Sequence, residues 1–184
     1  MTDVAIIVLA AGKGTRMKSA LPKVMHRAAG RSLLSHALHA AKSLEPAAAV
    51  VVVGPGMDDV TAEAVSVFPG ARHAVQADRL GTAHAVSMAK QALNGFRGTV
   101  VVLYGDVPLI TGASLQALSN LAGNGMAVLG FEAENPHGYG RLLRNAQGYV
   151  AAIREELDAS PEERAVTLCN SGIIAISSTL LWEL

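Results

Sequence analysis

Residues 4–11, Val-Ala-Ile-Ile-Val-Leu-Ala-Ala, run apolar without a break and end on Gly12-Lys13-Gly14. A strand wetted on one face alternates apolar with polar residues, so an unbroken run is what a strand buried on both faces requires. Such a strand needs a covering layer on each side and partners on both edges, a demand few architectures meet. Two further runs repeat the signal: residues 50–53, all valine and stopped by Gly54-Pro55-Gly56, and residues 100–104. Between them lie helical patterns. Residues 32 to 44 carry Leu34, Leu38, Ala41 and Leu44 at three- and four-residue spacing, with Ser32 as N-cap and Pro46 beyond the end. Thr82 is expected to cap a helix through Leu93, with Ala85, Met88, Ala89 and Leu93 on one face, and residues 114–121 read as a short helix. This alternation predicts an α/β fold, Rossmann-like, with a mixed, mostly parallel sheet flanked by helices.

After Gly125 the rhythm changes to short strands at 127–131, 140–144, 149–153 and 173–176, with Asn145-Ala-Gln-Gly148 as a hairpin connection. They are expected to be a mixed portion of the same sheet, since no change of composition marks a linker. A last helical pattern opens at Thr179, just before the sequence stops at Leu184. The expectation is one domain, truncated at its C-terminal end.

Composition removes several classes of function. Hydrophobic residues make up 51% of the 184, enough for a sizeable core, so disorder is excluded. Aromatics are 4%, too few for nucleic-acid binding on stacked rings, and 15 cations balance 15 acids, so no net field draws DNA or an anionic membrane. The opening apolar run is too short to span a bilayer and follows Asp3 rather than a cationic stretch. A reducing cytoplasm is the expected compartment. Cys169 is the one cysteine, which excludes an internal disulfide or a thiolate metal cluster, and its apolar setting reads as core. His36 and His39 are spaced i,i+3 without a carboxylate partner and read as surface or packed residues rather than metal ligands.

The zero net charge hides a segregation. No acid lies between Asp3 and Glu45, a window that holds Lys13, Arg16, Lys18, Lys23, Arg27, Arg31 and Lys42, whereas Glu155, Glu156, Asp158, Glu162 and Glu163 cluster late in the chain. The late cluster reads as a solvated face. The early one sits on a glycine-rich turn, Leu9-Ala-Ala-Gly-Lys-Gly-Thr-Arg-Met17, whose small residues let backbone N–H groups approach a phosphate. It is not a P-loop, because no Lys-Ser/Thr follows a second spaced glycine. Nor is it a dinucleotide fingerprint, since Met17 stands where the third glycine belongs and no acid follows the strand ending at Val53. Asp106 closes the third strand in Tyr104-Gly-Asp-Val-Pro108. It reads either as a cap on the turn into Pro108 or as a ligand for Mg²⁺, which needs only one or two carboxylates beside phosphates; next to a cationic loop the second is favoured. Gln76, whose amide both donates and accepts, suits a pyrimidine edge, and Gly81-Thr82 opens the helix beside it.

The ordered set resembles the sugar-nucleotide pyrophosphorylases, and among them the uridylyltransferase half of the bacterial bifunctional N-acetylglucosamine-1-phosphate uridylyltransferase/glucosamine-1-phosphate acetyltransferases. The motifs are the glycine turn, Leu21-Pro-Lys23, Gln76, Leu80-Gly-Thr-Ala-His84, Tyr104-Gly-Asp-Val-Pro-Leu-Ile110, Gly138-Tyr-Gly-Arg141, Glu155 and Asn170-Ser-Gly172. The resemblance implies the nucleotide-diphospho-sugar transferase fold. It implies Mg²⁺-dependent transfer of UMP from UTP to N-acetylglucosamine 1-phosphate, giving UDP-N-acetylglucosamine and pyrophosphate for cell-envelope precursors. By the same resemblance, Leu9, Ala10, Ala11, Gly12 and Lys23 would line the nucleotide and its phosphates, and Gln76, Gly81 and Thr82 would read the uracil. Arg16 and Lys23 would be the catalytic cations. Tyr104, Gly105 and Asp106 would hold the ribose side and Mg²⁺, and Gly140, Glu155 and Asn170 would contact the amino sugar. Arg154 and Leu157 depart from the pattern, where the family has an apolar residue and a Lys or Arg. The family's second metal ligand, its dimer-forming helix, which would support a homo-oligomer, and its acetyltransferase β-helix would all lie beyond position 184. The alternatives are a non-catalytic nucleotide-sugar binding fragment and a transferase of other nucleotide or sugar specificity.

Overall fold

The computed structural model describes residues 3–12, 14 and 17–183. In chain order it runs β1 (Val4–Leu9), the short pair β2 (Arg27–Ala28) and β3 (Arg31–Ser32), α1 (Leu33–Lys42), β4 (Ala48–Val53), α2 (Asp58–Val67), β5 (Arg72–Val75), α3 (Thr82–Met88), β6 (Thr99–Tyr104) and α4 (Gly112–Ala122). Then come β7 (Met126–Glu132), β8 (Arg141–Arg144), β9 (Val150–Arg154), α5 (Pro161–Arg164), β10 (Leu168–Ser177) and α6 (Ser178–Glu183). The chain divides into two compact units, Met1–Ala127 with Ile174–Leu184, and Val128–Ile173.

In the first unit the strand order is β5-β4-β1-β6-β10. β1 is central, parallel to β4 and β6, with Leu9 opposite both Val52 and Tyr104. β5 extends the sheet in parallel beyond β4, and Ile174–Ser177 of β10 closes the far edge antiparallel to β6. The sheet is therefore mixed and mostly parallel, as the unbroken apolar runs require. Ala5, Ile7 and Leu9 pack with Val50, Val52, Val100 and Val102 under Ala85, Val86, Ala89 and Leu93. The two-residue alternation sends Ile6 and Val8 to the opposite face, and they are fully buried as well.

Ser32 caps α1 as expected, its hydroxyl accepting the Ser35 N–H at 2.9 Å, and α1 buries Leu34, Leu38 and Ala41 while packing against α2 and α4. The cap expected at Thr82 is corrected: Thr82 is the first residue of α3, Gly81 precedes it as the N-cap, and α3 ends at Met88. Residues to Leu93 continue as turns, with the Leu93 N–H on the Ala89 carbonyl at 3.1 Å. α2 and β5 add to the elements expected from the sequence. α2 carries only Val60 and Ala64 as buried residues, and β5 is a four-residue edge strand reading Arg-His-Ala-Val, so neither leaves an apolar signature.

In the second unit β8 and β9 form the expected hairpin. Asn145 Oδ1 accepts the N–H groups of Gln147 and Tyr149, both at 3.0 Å, which folds the connection. Cys169 on β10 stands opposite Arg141 on β8 and is fully buried, a core residue. No helix among the described residues is long and apolar enough to cross a membrane.

Candidate functional site

The chain leaves β1 toward β4 and β5, then returns to place β6 on the other side of β1. Loops leaving the carboxyl ends of β1 and β6 therefore diverge, and a crevice opens between them, the place where open α/β sheets bind ligands. A cavity of ≈ 260 Å³ lies there, lined by Leu9, Ala10, Ala11, Gly12, Lys23, Val24, Gln76, Arg79, Gly81, Thr82, Ala85, Tyr104 and Asp106. The nucleotide-side residues singled out from the sequence thus converge on one cleft within the first unit. Gly105, expected beside them, is not among the lining residues; it stands between Tyr104 and Asp106, its N–H donating to the Leu9 carbonyl at 2.9 Å. Lys13 and Arg16 lie outside the described residues.

An ion pair borders the cleft. Lys23 opens a single 3₁₀ turn, Lys23–Met25, after Pro22, and its Nζ is 2.5 Å from Asp106 Oδ2. Gly14 supports the lysine: at φ +59 it occupies the left-handed region, and a Cβ there would fall 2.6 Å from the Lys23 Cβ. Glycine is thus required twice, for backbone and for space. Asp106 engages a cation rather than capping the turn into Pro108. One carboxylate oxygen donor beside an open, cationic cleft fits a hard cation such as Mg²⁺ that completes its shell with phosphate oxygens and water. Among the described residues no group of three His, Cys, Asp or Glu could hold a metal by itself.

On the other side of the cleft, Gln76 follows β5 and is only 5% exposed. Its backbone N–H reaches the Val53 carbonyl at 2.8 Å, and its Nε2 donates to the Gly81 carbonyl at 3.1 Å, with His84 Nδ1 at 3.3 Å. An amide whose nitrogen faces a carbonyl must direct its oxygen elsewhere. Oε1 has no hydrogen-bond partner among the described residues, and the side chain borders the cavity. Gly81 holds φ +103, ψ −178, a conformation essentially confined to glycine, which aims its carbonyl at both Gln76 and the Ala85 N–H.

The second unit brings together Gly140, Glu155 and Asn170. The Asn170 N–H donates to the Gly140 carbonyl at 2.8 Å, and a Cβ on Gly140 would sit 3.0 Å from Glu155 Oε1. The acidic cluster around them is more than a solvated face. Glu156 Oε2 accepts the Gly138 N–H at 2.6 Å, while its Oε1 meets His137 Nδ1 at 3.1 Å and the buried Arg141 at 3.4 Å. The Gly138 N–H, then His137 and Arg141, hold the Glu156 carboxyl below the usual carboxylate range against a smaller opposing effect of burial. Ser160 and Glu163 form a capping box on α5, and the Ser160 hydroxyl lowers Glu162 likewise. Of the departures from the family pattern, Arg154 pairs with Glu163 at 3.4 Å and Leu157 is exposed.

Arg79, Val24 and Ala85 border the cleft although no motif singles them out. Arg79 leaves one signal in the sequence, a cation in Gln76-Ala-Asp-Arg-Leu-Gly81 between two site residues. Its Nε donates to the Ala11 carbonyl at 3.2 Å.

Comparison with known proteins bears out the resemblance carried by the motifs. "Bifunctional protein GlmU" of Rhodospirillum rubrum is 50% identical over 188 residues, covering 100% of this chain and 41% of the relative. The protein of the same name from Paramagnetospirillum magneticum is 51% identical over 187 residues, covering 100% and 40% respectively. The chain thus spans about two fifths of the length of these curated relatives. In fold it is similar to the inositol-1-phosphate CTP transferase from T. maritima, with TM-score 0.80 at 16% identity over 99% of this chain and 74% of that one. The MobA-like NTP transferase domain matches residues 6–171, and it is to this family that the chain belongs.

Proposed function

We propose that the chain transfers the UMP group of UTP to N-acetylglucosamine 1-phosphate, releasing pyrophosphate and UDP-N-acetylglucosamine for cell-envelope precursors in the cytoplasm. The observation that carries the reading is the convergence of Leu9 to Gly12, Lys23, Gln76, Gly81, Thr82, Tyr104 and Asp106 on one cleft at the switch point of the sheet. About half-identity to GlmU along the whole chain supports the choice of substrates.

A phosphate oxygen of the sugar phosphate attacks the α-phosphorus in line; the new O–P bond forms as the bond to the β-phosphate oxygen breaks and pyrophosphate departs. No protein nucleophile is needed. Two polyanions must approach, so the barrier is dominated by charge. One opposite-charge pair at 4 Å is worth roughly 4 kcal/mol at an effective dielectric near 20, so a few placed cations offset the repulsion. Lys23 is one, on the cleft wall, and the motif gives Arg16 the same role. Asp106 would hold Mg²⁺, which supplies positive charge between the phosphates when bound. Gln76, with its nitrogen committed to Gly81, presents an acceptor that suits the N3–H of uracil and opposes the bare N3 of cytosine. Thr82 and the Gly81 backbone stand beside it at the start of α3. Gly140, Glu155 and Asn170 would take the amino sugar.

The test is pyrophosphate release from UTP, N-acetylglucosamine 1-phosphate and Mg²⁺. Release that stops when either substrate is omitted supports the proposal. Nucleotide binding without release identifies a binding fragment, and release with another nucleotide or sugar phosphate redirects the specificity.

A further inference from the structure

We propose that Arg79 is a phosphate-binding residue of the nucleotide cleft, seated on Gly54 and aimed by the Ala11 carbonyl. The inference rests on the nucleotide reading above and names a contact that reading does not contain. Arg79 and Lys23 are the cations among the described residues that border the cavity. Arg79 Nε donates to the carbonyl of Ala11, the residue before Gly12 in the glycine turn, at 3.2 Å. That bond consumes one of five N–H donors and fixes the plane of the guanidinium, leaving the two terminal nitrogens as a fork for oxyanions. One of them, Nη2, lies 3.1 Å from where a Cβ on Gly54 would stand, with Met57 Cε and Sδ at 3.3 Å from the same point. The bare backbone after β4 is thus a seat for the guanidinium. Gly54 has no positive φ to explain its identity, so space is the physical reason for a glycine there.

A fork held at the root of the glycine turn meets phosphate oxygens rather than the base. Lys23 approaches from the other wall, where it is already paired with Asp106. The two cations are therefore not equivalent. Lys23 shares its charge with a carboxylate, while Arg79 is tied only to a neutral carbonyl among the described residues.

The experiment measures equilibrium binding of UTP and of uridine to the full chain by calorimetry at fixed ionic strength, with melting curves as the check of folding. Arg79→Ala is expected to weaken UTP about tenfold or more and leave uridine unchanged, the size of a lost charge-assisted hydrogen bond. Arg79→Lys, which keeps the charge and loses the fork, recovers only part of the loss. Gly54→Ala, which leaves every charge in place, weakens UTP in the parent and has no further effect in Arg79→Ala. UTP affinity within about twofold of the parent in a folded Arg79→Ala overturns the proposal, as does an equal loss for uridine. A Gly54→Ala effect of the same size in both backgrounds overturns the seat. A parent chain that binds a different nucleoside triphosphate with the same Arg79 dependence keeps this inference and defeats the uridylyl assignment; a parent that binds none defeats both.

Discussion

Lys23 Nζ lies 2.5 Å from Asp106 Oδ2, although the two residues are 83 positions apart in sequence. The cation proposed for phosphate and the carboxylate proposed for a metal hold each other. Under the proposed roles, Asp106 would exchange Lys23 for the metal and Lys23 would exchange Asp106 for phosphate. Nearly half of the Lys23 side chain and a quarter of the Asp106 side chain reach solvent, so the pair is screened and can open without a large penalty.

Replacing Asp106 separates these roles. Asp106→Asn should lower metal-dependent turnover by about two orders of magnitude or more, the scale seen when a transition-state electrostatic partner is removed. Metal-free UTP binding should hold or tighten, because Lys23 loses its competitor. Pyrophosphate release beside a binding titration reads both effects; unchanged turnover would dismiss the metal role of Asp106.

Gly14→Ala adds a methyl group against the Lys23 stem at a left-handed backbone position. The substitution should cost about 1–2 kcal/mol in a urea melt and raise KM for UTP, since the lysine must move. Ala at Gly30, also at positive φ but with nothing within 4 Å of a Cβ and away from the cleft lining, is the matched control.

At Gln76 the expectation concerns selectivity. Gln76→Glu would put a carboxylate against the Gly81 carbonyl that now receives an N–H. KM for UTP should rise about tenfold, and Gln76→Ala should bring the UTP and CTP values of kcat/KM together. Retained preference for UTP in both variants would remove Gln76 from base recognition.

Acid should loosen the turn carrying Gly138. The Glu156 carboxyl is lowered in the folded chain, so its contribution is present above the unfolded value and is lost as pH falls through the folded one. The Gly138 amide resonance should therefore titrate with a midpoint below the usual carboxylate range, and Glu156→Gln should abolish that titration. A flat profile in the parent would show that the 2.6 Å bond to Glu156 does not order the turn.

Leu38 is fully buried on the inner face of α1, away from the residues that border the cleft. Leu38→Ala should cost about 2–5 kcal/mol of stability while leaving kcat near the parent value below the melting temperature.

The three apolar runs make the centre of the sheet legible, because only strands buried on both faces tolerate such sequences. Ser32 is legible as a cap because its side-chain chemistry is local. Thr82 misleads for the same reason: a threonine before an apolar stripe looks like a cap, whereas the Gly81 carbonyl, tied to Gln76 and Ala85, decides where α3 begins. β5 stays hidden because an edge strand of Arg-His-Ala-Val buries almost nothing. Among the candidate site residues the motifs name most of the cleft lining but not Arg79, since nothing in its own neighbourhood reveals that its Nε reaches a carbonyl 68 residues earlier. Likewise the late acidic cluster looks like solvated charge because Glu156 is matched by Gly138, His137 and Arg141 only in three dimensions.

The reversal of strand order about β1 puts the proposed metal ligand and the proposed base-reading residues on separate pieces of chain. Asp106 leaves β6 on one flank, while Gln76, Gly81 and Thr82 follow β5 on the other, joined to it by one short stretch of backbone. Descendants of such a scaffold could exchange one nucleobase for another by rewriting the residues on either side of Arg79, with the carboxylate after β6 and its paired lysine inherited intact.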